Sequence, residues 1–344
     1  MPESLSRGKA DARNGPDLVA TLGPSSAGQQ ADLAGIGVTH FRINASHLTA
    51  SGLREAIEGA HRAALRIPVI VDLQGAKMRL GDFPDRTVAT GQYLHFEPSR
   101  ASSNEFIPLP HPEAYEVLKA GDAISIDDGR LTGLVENVQS DHIVVRMTRE
   151  GLLRSRKGFN RAVHPVVRKE LSARDVEMTQ VAYAAGCRSF AVSFIVDGRE
   201  CDWVRRLVGP VELIAKIERA DALVNIASIA RQCDVIWVCR GDLGVQLGLA
   251  SLGQAVAAID PSQFRIPLLM AGQVFEHLTK HTDATRSEVC HAYDLMNRGY
   301  AGIVLSDETA IGCDPLNAAR VARALLDASV NGRVDDPRQF SGSS

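Results

Sequence analysis

The chain has 344 residues, enough for about two domains at roughly 150 residues each, and 45% of them are apolar, ample for a large buried core. Net charge is only −3 with no Lys/Arg-rich block, so the electrostatic footprint of a nucleic-acid binder is missing. No apolar run approaches the ~18 residues of a membrane span, and the first residues, MPESLSRGKADARNGPD, hold no apolar segment that would serve as a signal peptide, so the expected location is the cytoplasm, without membrane or nucleic-acid partners.

Residues 1–14 are polar and read as an untethered, disordered start. From there short apolar, β-branched runs recur between stretches of helical periodicity, the pattern of βα units and a parallel sheet. The expected strands are Leu18–Leu22, His40–Ile43, Val69–Leu73, Phe190–Phe194, Glu212–Ile217, Val235–Val238, Leu268–Met270 and Ile303–Leu305. Helices are expected over Gly52–Leu65, Asp175–Ala185, Ala220–Arg231 and Thr285–Arg298, each starting near a capping Ser, Thr or Asp. Eight strands with eight crossovers is the arithmetic of a TIM (β/α)8 barrel. One long gap, after the third strand, breaks the rhythm. Within it Ala123–Ile126, Leu131–Val135 and His142–Met147 alternate apolar and polar residues, with turn signals at Asp127-Asp-Gly-Arg130 and Ser140-Asp141. The expectation is a barrel over 15–80 and 158–330, a small all-β, barrel-like lid domain over 81–157, and a disordered polar tail over 331–344.

Barrel enzymes build their sites at the C-terminal ends of the strands. The second strand runs into Arg42-Ile-Asn44-Ala-Ser46-His47, the third into Asp72-Leu-Gln-Gly75-Ala-Lys77-Met-Arg79 and the fifth into Lys216-Ile-Glu218. The sixth gives Arg240-Gly-Asp242-Leu-Gly244 and the eighth Ser306-Asp-Glu308-Thr309, so charge of both signs converges on one rim. Lys216 and Glu218, two apart, share a face, and Glu218 with Asp242 offers the hard oxygen pair that suits Mg²⁺. Arg42, Lys216 and such a metal would surround an anionic, phosphorylated substrate. Lysine is scarce, seven against 31 arginines, so a lysine inside such a segment stands out.

The plainer readings differ. Each charged residue alone is most simply a solvated group or a structural ion pair. Asp127-Asp-Gly129 is a hairpin turn, His47 a helix cap, and Gly241 and Gly244 the needs of a tight turn. His164, His277, His281 and His291 show no ligand spacing. The six cysteines lack CxxC or zinc spacing and are expected as reduced thiols. No GxGxxG or GxxxxGK[ST] occurs.

Taken in order, VATLGPSS, FRINASH, DLQGAKMRLG, IDDG, RKGFN, LSARD, VSF, IAKIE, VCRGDLGV, TRSEV and VLSDETAIGCDPLNAAR make the chain resemble the pyruvate kinase family from about Asp17 to Ser329. The resemblance implies phosphoryl transfer from phosphoenolpyruvate to ADP, giving pyruvate and ATP, with Mg²⁺ or Mn²⁺. It implies that Lys216 neutralises the phosphoryl group in flight, that Arg42 binds phosphate, that Glu218 and Asp242 hold the divalent metal, and that Gly241, Asp242 and Gly272 lie against substrate. Ser306 resembles a residue of the proton-relay region. Asn44, Ser46, Asp72 and the main chain of Leu73 match a potassium site, while Asn44, His47, Arg79 and Lys157 match positions that contact nucleotide phosphates. Lys77 falls where potassium-dependent members carry a glutamate, which implies activity without K⁺.

Several positions depart from the family pattern. Gly272 stands in place of a threonine whose hydroxyl helps hold the substrate carboxylate, Cys239 in place of an alanine and Gln246 in place of an acid, and RKGFNRAVHP lacks the Asn-x-Pro-Gly continuation. The family's C-terminal domain would begin near Asn331. The expectation is therefore a short form without effector control through that domain, and a homo-oligomer, if any, that differs from the family tetramer. Two alternatives stay open: a barrel enzyme that stabilises a metal-bound enolate for carbon–carbon chemistry, with Gly272 making room for a larger substrate, and a catalytically silent ligand-binding relative.

Overall fold

A computed structural model describes residues 15–99, 106–127, 129–161, 164 and 166–331; the expectations for 1–14 and for the tail beyond 331 lie outside the described residues. Eight strands close into a parallel barrel: Asp17–Thr21, His40–Asn44, Val69–Leu73, Ser189–Val192, Glu212–Ile217, Val235–Cys239, Leu268–Ala271 and Gly302–Leu305. The first strand pairs with both the second and the last. These strands are nearly all buried along their length, because helices cover the outer face and side chains fill the lumen. Residues such as Leu18, Phe41, Phe190 and Ile303 pack outward on the helices. Val19, Ile70, Ile214, Trp237, Leu269 and Val304 face the lumen.

The helices fall close to the sequence reading, with one break. Ala220–Arg231 is not one helix but two short ones, Ala220–Val224 and Ile226–Ile229. They meet at Asn225, whose amide nitrogen donates to the Val196 carbonyl at 3.0 Å; that tertiary bond fixes the kink. The fourth strand also stops short of Phe194, which adopts the left-handed conformation (φ +56°) and turns the chain into the site. Gly75 packs so tightly beneath this turn that a Cβ there would lie 2.0 Å from the Ser193 carbonyl oxygen, which only glycine permits.

After the third strand comes a β unit whose antiparallel pairs run through Ala123–Ile126, Leu131–Val138 and Ile143–Arg149. In the last two, buried and less buried residues alternate, as one-sided sheets require. Its six-stranded sheet also takes in Phe159–Arg161, beyond residue 157, and its own core includes Phe96, Ile126, Val145 and Phe159. The return to the barrel is pinned from two sides. Gln246 accepts from the His164 amide (2.7 Å) and donates to the Arg161 carbonyl (3.0 Å), while buried Arg219 donates to the carbonyls of Val166 (2.6 Å) and His164 (3.1 Å).

Candidate active site

The C-terminal mouth holds a buried knot of charge. Lys216 Nζ donates to both oxygens of Asp72 (3.2 and 3.0 Å), to Ser193 Oγ (2.9 Å) and lies 2.9 Å from Glu218 Oε1. Arg42 grips the same Asp72 from the other side, Nε at 2.8 Å and its terminal nitrogen at 2.6 Å, and also donates to Thr21 Oγ1. The other Glu218 oxygen accepts the Phe194 amide at 2.8 Å, which the left-handed turn aims at it. Barrel register sets these meetings: Asn44 lies opposite Asp72, and Asp72 opposite Ala191, one strand short of Lys216.

Burial works against each charge, and the partners decide the outcome. Desolvation would raise Asp72, but Lys216 and Arg42 together bring it down to about 2. Desolvation likewise opposes the Lys216 ammonium, and Asp72 and Glu218 reverse that, raising its pKa above the ordinary value. Glu218 is pushed upward by burial, with Lys216 pulling down and nearby Asp242 adding repulsion. A carboxylate under that pressure is stabilised as an anion by any further cation.

Asp242 sits in the first turn of the helix Arg240–Leu247, which starts directly at the end of the sixth strand. One of its oxygens accepts from Lys77 Nζ at 2.7 Å, and this holds Asp242 below the usual carboxylate range against its burial. Its other oxygen is buried with no hydrogen-bond partner. That orphaned oxygen, beside the repelled Glu218, fits a divalent cation. Among the described residues no three His, Cys, Asp or Glu side chains converge as ligands, so substrate and water would complete such a shell.

The remaining candidates fall around this knot. Asn44 Oδ1 accepts the Ser46 amide and so caps its own turn. Both oxygens of Asp72 are taken by Lys216, Arg42 and Ser193, and Leu73 is buried. The Lys77 ammonium bonds Asp242 at 2.7 Å. His47 is lowered to about 4 by desolvation and then by repulsion from Arg79, Arg42, Lys157 and Lys77. Arg79 donates to the Arg156 carbonyl, and Lys157 pairs with Asp127 at 2.9 Å in the β unit. Asp127 is the left-handed residue (φ +54°) of the turn before Leu131.

Gly272 (φ +81°) lies against the start of the Arg240 helix: a Cβ there would come 3.0 Å from the Gly241 nitrogen. Arg240 holds this loop through two bonds to the Gly272 carbonyl (3.0 and 2.8 Å) and one to that of Gln273. Ser306 is anchored through its amide to Glu308, whose second oxygen accepts the Phe275 amide.

Sequence reasoning missed Ser193, Thr21 and Asn160. The fourth strand's end was not among the polar rim residues, although Ser193 lies in the VSF segment. Asn160, in RKGFN, is buried with both amide atoms unpaired. Gln246 and His164 also gain a role, as the clamp on the return segment.

A closed parallel barrel with cations and carboxylates gathered at its C-terminal mouth defines an enzyme of the anion-handling (β/α)8 class. The family model described as the pyruvate kinase barrel domain matches residues 14–319. The chain is 32% identical to the pyruvate kinase of Agrobacterium vitis over 90% of its own length and 67% of that protein's. With that of Methylorubrum extorquens it shares 34% over 88% and 66%, and with that of Mycobacterium tuberculosis 28% over 90% and 69%. It thus spans about two thirds of these relatives. The chain belongs to the pyruvate kinase family.

Proposed function

We propose that the protein transfers the phosphoryl group of phosphoenolpyruvate to ADP, forming pyruvate and ATP, with Mg²⁺ held by Glu218 and Asp242. The observation that carries this reading is the Lys216 ammonium, buried and bonded to Asp72, Ser193 and Glu218 at once. A cation so fixed meets developing phosphoryl charge without reorganising, and such positioned charge supplies most of the acceleration in phosphoryl transfer. Arg42, oriented by Asp72 and Thr21, binds the phosphate. The amides of Gly241 and Asp242, at a helix N-terminus, suit the substrate carboxylate. His47, Arg79 and Lys157, with Asn44, take the nucleotide phosphates. Mg²⁺, when bound, supplies a Lewis acid that offsets the charge of substrate carboxylate and phosphate.

Gly272 brings no hydroxyl to the carboxylate. One lost hydrogen bond to a charged group costs about 1.5–3 kcal/mol, or roughly ten- to a hundredfold in rate if it acts in the transition state. Lys77 brings a fixed ammonium to this mouth, bonded to Asp242 at 2.7 Å, which supports turnover without K⁺. A coupled assay with phosphoenolpyruvate and ADP tests the reading: turnover in the wild type and its loss in Lys216→Met are expected, and equal silence in both refutes it.

A further inference from the structure

We propose that His291 is a positioning residue for phosphoenolpyruvate: its neutral imidazole holds Arg240, and Arg240 holds the turn at Gly272 and Gln273 against the helix N-terminus that receives the substrate carboxylate. The inference deepens the phosphoryl-transfer reading and rests on it.

The chain of contacts is direct. Arg240 Nη1 lies 2.6 Å from Nε2 of His291, on the helix Arg286–Asn297. A guanidinium has donors only, so Nε2 must accept, and the ring holds Arg240 only while that nitrogen carries no proton. The same arginine directs Nε and Nη2 to the Gly272 carbonyl (3.0 and 2.8 Å) and Nη2 also to that of Gln273 (2.8 Å). Gly272 and Gln273 are both left-handed, at φ +81° and +54°, and a residue with a side chain keeps that conformation where its surroundings hold it.

A Cβ on Gly272 would lie 3.0 Å from the Gly241 nitrogen and 3.3 Å from that of Arg240. The turn therefore packs on the first amides of the helix Arg240–Leu247, and its movement reshapes the wall of the carboxylate subsite. Lys216, by contrast, is held by Asp72, Ser193 and Glu218. Releasing Arg240 thus weakens substrate binding more than it slows the chemistry. Half-buried His291 is kept neutral by its setting: desolvation and then the Arg240 charge lower its pKa from 6.5, Asp294 opposes them and Arg298 adds to them. From other elements Glu308 and Tyr300 act on Arg240, and the Glu308 carboxylate is already bonded to the amides of Phe275 and Ser306.

Steady-state kinetics against pH test the role. At about pH 7.5, His291→Leu should raise KM for phosphoenolpyruvate about fivefold or more, the effect of one lost hydrogen bond. Its kcat and its KM for ADP should stay within about twofold of wild type. His291→Gln, whose carbonyl oxygen accepts without titrating, should restore the wild-type KM. As pH falls below 6.5, the wild-type KM should climb relative to that of His291→Gln, toward the leucine variant's. An unchanged KM in His291→Leu, a glutamine variant no better than leucine, or parallel pH profiles of wild type and His291→Gln overturns the inference. If the variants do not fold, the ring ¹⁵N shifts of the unaltered chain decide: an unprotonated Nε2 at about pH 7.5 upholds it and a protonated one overturns it. A wild type without turnover refutes the phosphoryl-transfer reading. The same comparison of variants then runs on calorimetric binding of phosphoenolpyruvate with Mg²⁺, where failure to bind overturns the positioning role as well.

Discussion

The two mouths of the barrel are built from the same eight strands and are opposites. At the C-terminal mouth Asp72, Lys216 and Glu218 are buried and bonded to one another, and Arg42 closes the group. At the N-terminal mouth the carboxylates of Asp17, Glu212 and Asp234 ring the buried lumen residues Ile214, Trp237 and Leu269, and Asp234 is paired with Arg205. The C-terminal mouth tolerates such charge density because the loops beyond it deliver main-chain donors, such as the Phe194 amide on Glu218. One mouth therefore concentrates buried charges bonded to one another, whereas the other carries its carboxylates around a packed apolar lumen.

The sharpest way to break this contrast is Lys216→Met. It strands Asp72 and Glu218 beside one fewer cation; phosphoryl transfer is expected to fall by about a thousandfold or more, and breaking a buried pair costs about 3–5 kcal/mol of stability. Coupled kinetics together with urea unfolding measure both, and a rate within tenfold of wild type would remove the catalytic site from this mouth. Next in size, Gln246→Ala leaves the His164 amide and Arg161 carbonyl unpartnered, at about 1–3 kcal/mol. Unfolding midpoints check it, and an unchanged midpoint would mean that Arg219 alone pins the return segment.

Two pH experiments sharpen the electrostatic side. Asp72, at about 2 when folded, contributes stability that is present above its unfolded value near 4 and is lost as pH falls toward 2. Arg42→Met removes one of its two cations, so the acid limb of a circular-dichroism pH titration should move to higher pH. His164 is held neutral, lowered to about 3 chiefly by desolvation and then by Arg219. The unfolded chain therefore takes up a proton at higher pH than the native one, and stability falls with acidification from about 6.5 toward 3, by at most about 1.4 kcal/mol per pH unit from this group. His164→Asn should flatten that slope in urea melts; an unaltered slope would assign it elsewhere. The smallest effect concerns Lys77: replacing K⁺ by tetramethylammonium should leave kcat within about twofold, and a strict K⁺ requirement would refute the stand-in role.

Much of this was legible in the chain. Continuous apolar runs marked strands covered on both faces, and alternation marked the one-sided sheet of the β unit. The rim segments around Arg42, Asp72, Lys216, Glu218 and Asp242 could be read because strand ends in a barrel share one mouth. Ser193 escaped because a serine inside an apolar strand end carries no periodic signal. Gln246 escaped because its value lies wholly in two main-chain atoms some eighty positions away.

By itself the sequence determined the barrel, the β unit and the set of charges at one rim, since burial periodicity and strand-end position are local properties of a chain. Only the tertiary structure decided that Lys77 meets Asp242, that Phe194 turns left-handed with its amide on Glu218, and that Gln246 bonds both His164 and Arg161. Those outcomes follow from how the barrel closes and how its strands register. These set which side chains from distant segments meet, and at what distance, and no neighbour along the chain encodes them.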